Sequence, residues 1–128
     1  MPEYRLSCSS LERLQRVHPD LVRVVMRAIQ ITEVYFGITE GVRTIEKQRE
    51  YVAKGASRTM NSRHLTGHAV DLAAYVGVEV RWDWPLYYKL ADAMKAAAKE
   101  LNVSIVWGGD WVTLKDGPHF ELDRRVYP

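Results

Sequence analysis

The chain has little of several features that would define a protein class at once. It contains a single cysteine among 128 residues, so no disulfide can form within it. No apolar run approaches the roughly 20 residues of a membrane-spanning helix, and the first residues lack the apolar core of a signal peptide. The fold should therefore need neither an oxidising compartment nor a bilayer. The one thiol, Cys8, is expected to be a small buried residue rather than a reactive group.

Net charge and length narrow the class further. The 18 basic and 16 acidic residues give a formal charge of +2, which is too small to predict nucleic-acid binding. Apolar residues make up 47% of the chain, enough for one hydrophobic core but not for two ordinary domains. We therefore predict one domain over residues 1–128, with no nucleic-acid partner, no membrane insertion and a monomeric state.

Hydrophobic periodicity predicts a mixture of helices and strands. A 3.6-residue period predicts a helix from Asp20 to about residue 29, and weaker signals predict helices over 10–16 and 45–54. Asp83 and Pro85 should open a long helix that ends near Leu101. Strands are expected over 34–39, 69–76, 78–81, 103–107 and 119–122. The predicted class is α+β, a small antiparallel sheet flanked by helices.

Two clusters of ligand-capable side chains interrupt this pattern. The first runs from Ser62 to Asp71 and follows a polar segment, 56–62, that predicts a loop; the second runs from Asp116 to Glu121. A hydrolytic zinc site uses three imidazole or carboxylate ligands and leaves one position open for water. His64, Asp71 and His119 supply such a set. The strand holding His119 would have to lie beside the strand holding Asp71.

Spacing alone leaves alternatives open. His68 lies four residues after His64, as in helical His-Glu-x-x-His zinc sites, but Leu65 replaces the glutamate and Gly67 disfavours a helix. His68 is therefore expected to be an exposed or supporting imidazole. His18 is expected to face solvent. The whole set could also be polar residues that satisfy hydrogen bonds around a small core.

A family resemblance favours the metal site. The pattern Ser62-x-His64-x-x-Gly67-x-Ala69-x-Asp71, followed by Asp116-x-x-His119-Phe-Glu121, resembles a family of zinc peptidases. The family groups D-alanyl-D-alanine carboxypeptidases with phage L-alanyl-D-glutamate endopeptidases and is related to lysostaphin-type and hedgehog domains. The segments Gly41-Val-Arg43-Thr-x-Glu46-x-Gln48 and Trp107-Gly-Gly-Asp110-Trp111 are also similar to its compact phage endolysins. The resemblance covers about residues 18–122, with three separated motifs in the same order.

The resemblance implies a hedgehog or D,D-peptidase-like fold, Zn²⁺ held by His64, Asp71 and His119, and Asp116 as the catalytic carboxylate. An acid three residues before a ligand can reach a water at the open position without binding the metal itself. Asp116 would then act first as base and later as acid toward the leaving amine. The alternative for Asp116 is a turn residue before Gly117-Pro118.

Four further residues have expected roles around the site. Arg43 resembles the family's substrate arginine and could form a forked contact with a carboxylate or an oxyanion, the alternative being a surface salt bridge. Ser62 is expected to contact substrate, orient the site or cap a loop. Glu121 is expected to support a ligand histidine. Gln48 is expected to support the site or, like Trp107 and Asp110, to form a cleft wall or to pack.

The resulting hypothesis is a zinc-dependent peptidoglycan peptidase, a phage or prophage endolysin that cleaves the L-alanyl-D-glutamate bond of the stem peptide. A D-alanyl-D-alanine carboxypeptidase is the alternative within enzymes. A noncatalytic module stabilised by zinc is the alternative from another class. Such a lysin is expected to stay in the host cytoplasm and to reach the periplasmic cell wall after the membrane is breached.

Overall fold

The computed structural model describes residues 4–57 and 60–128. Arg58 and Thr59, which belong to the predicted loop over 56–62, lie outside the described residues. Among the described residues, no helix is both long and apolar enough to cross a membrane.

Helices and strands alternate along the chain as an α+β fold, which confirms the predicted class. Its elements are α1 (Cys8–Arg13), α2 (Pro19–Ile31), β1 (Phe36–Glu40), α3 (Ile45–Ala53), β2 (Ala69–Val76), β3 (Glu79–Arg81), α4 (Trp84–Leu101), β4 (Ile105–Trp107) and β5 (His119–Leu122). Two short 3-10 helices, Arg63–Thr66 and Gly108–Asp110, complete the fold in the described part of the chain.

The sheet is antiparallel throughout and has two different faces. Its strand order is β1-β2-β5-β4, with β3 also paired to β2. The ladder places Asp71 opposite His119 and Val70 opposite Phe120. Because side chains alternate along a strand, Asp71 and His119 share one face while Val70 and Phe120 share the other. The pairing expected for the two polar strands is therefore present.

Helices α2 and α4 pack against each other and cover the apolar face of the sheet. α2 begins at Pro19, where the His18 ring accepts a hydrogen bond from the Asp20 amide at 3.1 Å, so His18 caps a helix and is half-buried. Alanines at 91, 93, 97 and 98 of α4 are buried and allow close approach to its neighbours. The opposite face of the sheet stays free to line a groove.

The segment around His64 differs from the prediction. Although Gly67 disfavours a helix, Arg63–Thr66 forms a short 3-10 helix, begun by Ser62, whose hydroxyl accepts from the His64 amide at 3.2 Å. Gly67 ends it with a positive φ of 75°. His64 is therefore fixed on a helical turn.

The prediction for Cys8 is wrong, since its side chain is exposed at the start of α1. The buried face of this short helix carries Ser10 instead, whose hydroxyl accepts a hydrogen bond from the Ile38 amide at 2.9 Å. A polar contact with β1, rather than an apolar one, orients α1.

Candidate metal centre and groove

Three side chains converge where β2, β5 and the first 3-10 helix meet. One ligand-capable atom each of His64, Asp71 and His119 lies within 4.8 Å of the other two. Asp71 Oδ1 is 3.3 Å from His64 Nε2 and 3.2 Å from His119 Nδ1. Both imidazoles are buried and Asp71 is half-buried. The structure thus brings together all three residues that the sequence proposed as ligands.

Backbone contacts fix the orientation of His64. Its Nδ1 lies 2.9 Å from the Gly41 carbonyl oxygen, and its carbonyl accepts from the Arg43 amide at 2.9 Å. A carbonyl can only accept, so Nδ1 carries the hydrogen and Nε2 presents its lone pair. A side chain at Gly41 would place its Cβ 1.9 Å from the Arg13 carbonyl oxygen. Only glycine allows this close approach.

A carboxylate fixes the orientation of His119. Its Nε2 lies 2.9 Å from Glu121 Oε1, two residues along the same face of β5, which leaves Nδ1 directed at Asp71. Burial lowers the pKa of His119, but hydrogen bonds to Asp71 and Glu121 outweigh it and raise the pKa to about 9. Burial would likewise raise the pKa of Asp71, yet its close contacts with the His119 and His64 imidazoles hold it well below its ordinary value. Glu121 contacts a candidate ligand, as proposed for a supporting residue.

These side chains fit a divalent metal. Ligands at about 2.0–2.1 Å in a tetrahedral zinc site lie about 3.3 Å from each other, which matches the 3.2 and 3.3 Å separations around Asp71 Oδ1. His64 Nε2 is buried and has no hydrogen-bond partner among the described residues. A buried polar atom without a partner is costly, and a metal ion would provide one. The chain therefore has a His–Asp–His group that could hold a metal.

Asp116 lies beside this group in a groove of about 940 Å³. Its amide donates to the Gly108 carbonyl at 3.0 Å, and a Cβ at Gly108 would lie 2.4 Å from the Asp116 carbonyl oxygen. Burial and the charge of Asp71 raise the pKa of the Asp116 carboxyl, although His119, His64 and Arg43 act in the opposite direction. Trp107 supports the same turn by donating from Nε1 to the Gly117 carbonyl at 2.7 Å.

Arg43 lies in the same groove and is held on several sides. Its Nε pairs with Glu40, and its Nη1 donates to Gln48 Oε1 at 2.6 Å and, at 3.4 Å, to Ser62 Oγ. The guanidinium carbon lies 4.6 Å above the Tyr51 ring. Its side chain is only 9% exposed, so Arg43 is not a surface salt bridge. Fully buried Gln48 fixes this arginine rather than the metal ligands.

The remaining residues singled out from the sequence lie at different distances from the ligand group. His68 lies outside the ligand group, with Nδ1 2.7 Å from Thr66 Oγ1 and its ring 5.5 Å from that of His18. Asp110 forms an exposed ion pair with Lys95 at 2.7 Å. Ser62 caps the first 3-10 helix and also lines the groove, so capping and substrate contact are both compatible with the structure.

Some groove residues had no role in the sequence analysis. Glu40 and Tyr51 hold Arg43, while Trp111 packs its ring 5.3 Å from the His119 ring. Glu40 closes β1 after an irregularity in the ladder and lies opposite Asp71 of β2, a placement that is visible only in the folded chain. The roles of Tyr51 and Trp111 depend on tertiary contacts without a local sequence signal.

The fold defines a class of structures, those with a D,D-dipeptidase-like fold. The structure of the vancomycin-resistance D,D-dipeptidase VanXYg superposes with a TM-score of 0.53 at 18% identity, over 83% of this chain and 50% of that one. At that identity the likeness shows the fold alone.

Closer relatives define the family. The model of the phage L-alanyl-D-glutamate peptidase family matches residues 2–127, so the chain belongs to that family and is a peptidase. It is 30% identical to the L-alanyl-D-glutamate peptidase of Escherichia phage T5, over 97% of this chain and 93% of that protein. The crystal structure of the Serratia marcescens L-Ala D-Glu endopeptidase ChiX superposes with a TM-score of 0.93 at 49% identity, over 98% of this chain and 95% of that one. The resemblance noted from the sequence motifs is confirmed.

Proposed function

We propose that this peptidase hydrolyses the L-alanyl-D-glutamate bond of peptidoglycan stem peptides and that it uses zinc. The observation that carries the proposal is the convergence of His64, Asp71 and His119 within 4.8 Å, with Asp116 in the same groove. The bond is chosen because the relatives that match nearly the whole chain bear the names of L-alanyl-D-glutamate peptidases.

The donor set favours zinc over calcium and magnesium. Two imidazoles and one carboxylate with an open fourth position are typical of hydrolytic zinc sites, whereas calcium and magnesium prefer oxygen ligands alone. When bound in such a site, zinc lowers the pKa of water to about 7 and polarises a carbonyl group. His64 would bind through Nε2 and His119 through Nδ1, because the other nitrogen of each ring is engaged by Gly41 or Glu121.

Asp116 would perform the proton transfers. Its carboxylate has no hydrogen bond within the described residues and lines the groove, so it is free to accept a proton from the attacking water. It would then return that proton to the leaving amine nitrogen. Because burial and Asp71 raise its pKa, Asp116 is a stronger base than an ordinary aspartate and a competent acid after protonation.

Arg43 would stabilise negative charge on the substrate carbonyl oxygen. Its partners Glu40, Gln48 and the Tyr51 ring hold the guanidinium in place before substrate arrives. A donor that is already oriented needs no reorganisation as charge develops on the oxygen. Ser62, whose Oγ lies 3.4 Å from Arg43 Nη1, would contact the same part of the substrate.

The experiment compares Asp116→Ala with Asp110→Ala on purified peptidoglycan. Asp110 is a matched carboxylate, exposed and paired with Lys95. We expect Asp116→Ala to lower the rate by on the order of 10²–10⁴-fold, the usual contribution of general acid–base catalysis, and Asp110→Ala to change it little. Chelation should abolish activity and added zinc should restore it. Full activity of Asp116→Ala, or of the metal-depleted protein, would refute the mechanism.

Mass spectrometry of the soluble products tests the bond. Cleavage of L-alanyl-D-glutamate releases peptides whose new amino terminus is D-glutamate. Free D-alanine as the only product would instead establish a D,D-carboxypeptidase. Tight zinc binding without any turnover would indicate a binding module.

A further inference from the structure

Arg124 forms a second cationic feature of the groove, separate from Arg43. It follows β5, lines the groove and has a side chain that is 53% exposed. Its Nε lies 3.7 Å from Glu121 Oε2, and its Nη2 donates to the Asn61 carbonyl at 3.4 Å. Both contacts are long, so they leave most of the five guanidinium donors available to a ligand in the groove.

The charges around Arg124 are not balanced. Glu121 is shared between Arg124 and Arg63, whose Nε is 3.9 Å from the same carboxylate oxygen, while its other oxygen contacts His119. The Asp123 carboxylate forms an ion pair with Arg125, whose Nη2 lies 2.6 Å from Asp123 Oδ2. Three guanidinium groups thus face two carboxylates at this corner, an excess of one positive charge among the described residues.

On the Arg43 side of the groove, the residues that the structure describes show no such excess. The guanidinium of Arg43 pairs with the carboxylate of Glu40, one cation with one anion. A groove with one unbalanced cation at a half-exposed corner is complementary to a ligand that carries a carboxylate at one end.

The proposed substrate carries free carboxylates on only one side of the scissile bond. The inference therefore rests on the proposed function. On the acyl side of the scissile bond lie L-alanine and the sugar-linked lactyl group, which carry no free carboxylate. On the amine side, the D-glutamyl residue continues through its γ-carboxyl and keeps its α-carboxylate free. A diamino acid at the next position can carry another.

We propose that Arg124 binds a carboxylate of the amine side of the stem peptide and thereby determines which end of the groove that part occupies. The nearest source is the α-carboxylate of D-glutamate, attached to the carbon that bears the scissile nitrogen. The second source is the side-chain carboxylate of diaminopimelate at the third position. Arg63, buried and bonded to the Leu122 and Tyr127 carbonyls, is held too firmly to serve in its place.

The test combines protein variants with substrates that lack one carboxylate. Arg124→Gln removes the charge, and Arg23→Gln is the control, since Arg23 is an exposed arginine on α2 paired with Asp20 at 3.6 Å outside the groove. The substrates are a stem tetrapeptide with D-glutamate and diaminopimelate, its analogue with D-isoglutamine, and its analogue with lysine at the third position. For each protein, kcat/KM for the full substrate divided by kcat/KM for an analogue gives the preference ratio for the carboxylate that the analogue lacks.

We expect the wild-type protein and Arg23→Gln to prefer the full substrate over one analogue by about tenfold, the scale of one charge-assisted hydrogen bond at a half-exposed site. Arg124→Gln should bring that ratio close to one, mainly through KM. Loss of preference for D-glutamate over D-isoglutamine identifies the α-carboxylate. Loss of preference for diaminopimelate over lysine identifies the third residue.

Unchanged ratios in Arg124→Gln would overturn the inference while leaving the proposed function intact. Absence of cleavage between L-alanine and D-glutamate by the wild-type protein would instead overturn the proposed function, and the inference with it. Calorimetry with the product dipeptide γ-D-glutamyl-diaminopimelate adds a readout independent of turnover, and its binding should weaken in Arg124→Gln but not in Arg23→Gln.

Discussion

On one side of the candidate metal centre the ligands come from a strand ladder, and on the other side the ligand comes from a helical turn held by backbone contacts. In the ladder, Asp71 lies opposite His119, and Glu121 follows two residues later on the same face. On the turn, His64 contacts the Gly41 carbonyl and the Arg43 amide, which belong to the segment after β1. We call Asp71, His119 and Glu121 the ladder side, and His64 with Gly41 and Arg43 the turn side.

The difference shows two ways to place a ligand. A ladder places side chains by register, because a slip by one residue would turn the whole set toward the apolar face. A helical turn has no such constraint and must be docked by tertiary contacts, here through a glycine that no other residue can replace without a clash. The ladder side is also anionic, with Asp71 and Glu121 around His119, whereas a neutral carbonyl orients His64.

The largest effect is expected from Asp71→Asn, which removes the carboxylate that both sides share. Asp71 Oδ1 is within 3.3 Å of one nitrogen of each histidine, so the loss of its charge disrupts the whole group. Activity should fall by on the order of 10³-fold or more, as when one member of a catalytic unit is removed. Metal content measured by mass spectrometry should fall in parallel. A variant that retains zinc at full stoichiometry would contradict the proposed ligand set.

Gly41→Ala should perturb the turn side alone. Its Cβ would lie 1.9 Å from the Arg13 carbonyl oxygen, so the backbone must shift and His64 loses its partner. We expect a loss of about 3 kcal/mol in the free energy of unfolding, at the upper end of overpacking effects. Gly55→Ala is the control: its Cβ meets nothing within 4 Å, and only its positive φ of 77° costs about 1 kcal/mol. Equal losses in urea denaturation would show that Gly41 is not specially constrained.

Glu121→Gln should perturb the ladder side without removing a candidate metal ligand. An amide is a weaker acceptor for the His119 Nε2 hydrogen, so the imidazole is less basic and less firmly oriented. Zinc affinity should fall by about 10–100-fold, as for other residues that support a ligand histidine. Competition with a chromogenic chelator measures it. Affinity equal to the wild type would mean that the strand backbone alone orients His119.

The ladder side should also make stability and zinc affinity depend on pH. The pKa of His119 in the metal-free fold is about 9, above its ordinary value of 6.5. A raised folded pKa gives stability that is complete below about pH 6.5 and is lost as the pH rises toward 9. The metal-free protein should therefore unfold more easily at pH 9 than at pH 6.5. Zinc binding displaces this proton, so zinc affinity should increase over the same range. Thermal denaturation with and without zinc measures both trends.

The ladder side could be predicted from the sequence and the turn side could not. Strands 69–76 and 119–122 have the observed bounds because runs of strand-forming residues define them locally. The 3-10 helix that carries His64 has no hydrophobic period, and its position depends on contacts such as the His18 amide with the Gly67 carbonyl at 2.8 Å. Motif resemblance placed His64 in the site, but its local structure followed only from the tertiary fold.

The same reasoning applies to the groove. Arg43 could be proposed because it stands in a recognisable motif at the end of a strand. Its partners Glu40 and Tyr51 could not, because a side chain's partner is set by how β1 and α3 pack rather than by spacing in the chain. Prediction from sequence therefore reached the residues of the candidate metal centre and missed Glu40 and Tyr51, two of the four residues that hold Arg43.

The smallest effect is expected from Glu40→Gln, which tests whether a charged partner is needed to hold the Arg43 guanidinium in place. Arg43 would lose its ion pair but keep Gln48, Ser62 and the Tyr51 ring. We expect kcat/KM to fall about tenfold, because one buried charge-assisted contact is typically worth about 1.5 kcal/mol or more. Glu50→Gln is the matched control, since its pair with Lys47 is 4.0 Å long and exposed. If both variants behave alike, then uncharged contacts suffice to hold Arg43, and the turn side, like its histidine, is ordered mainly by neutral groups.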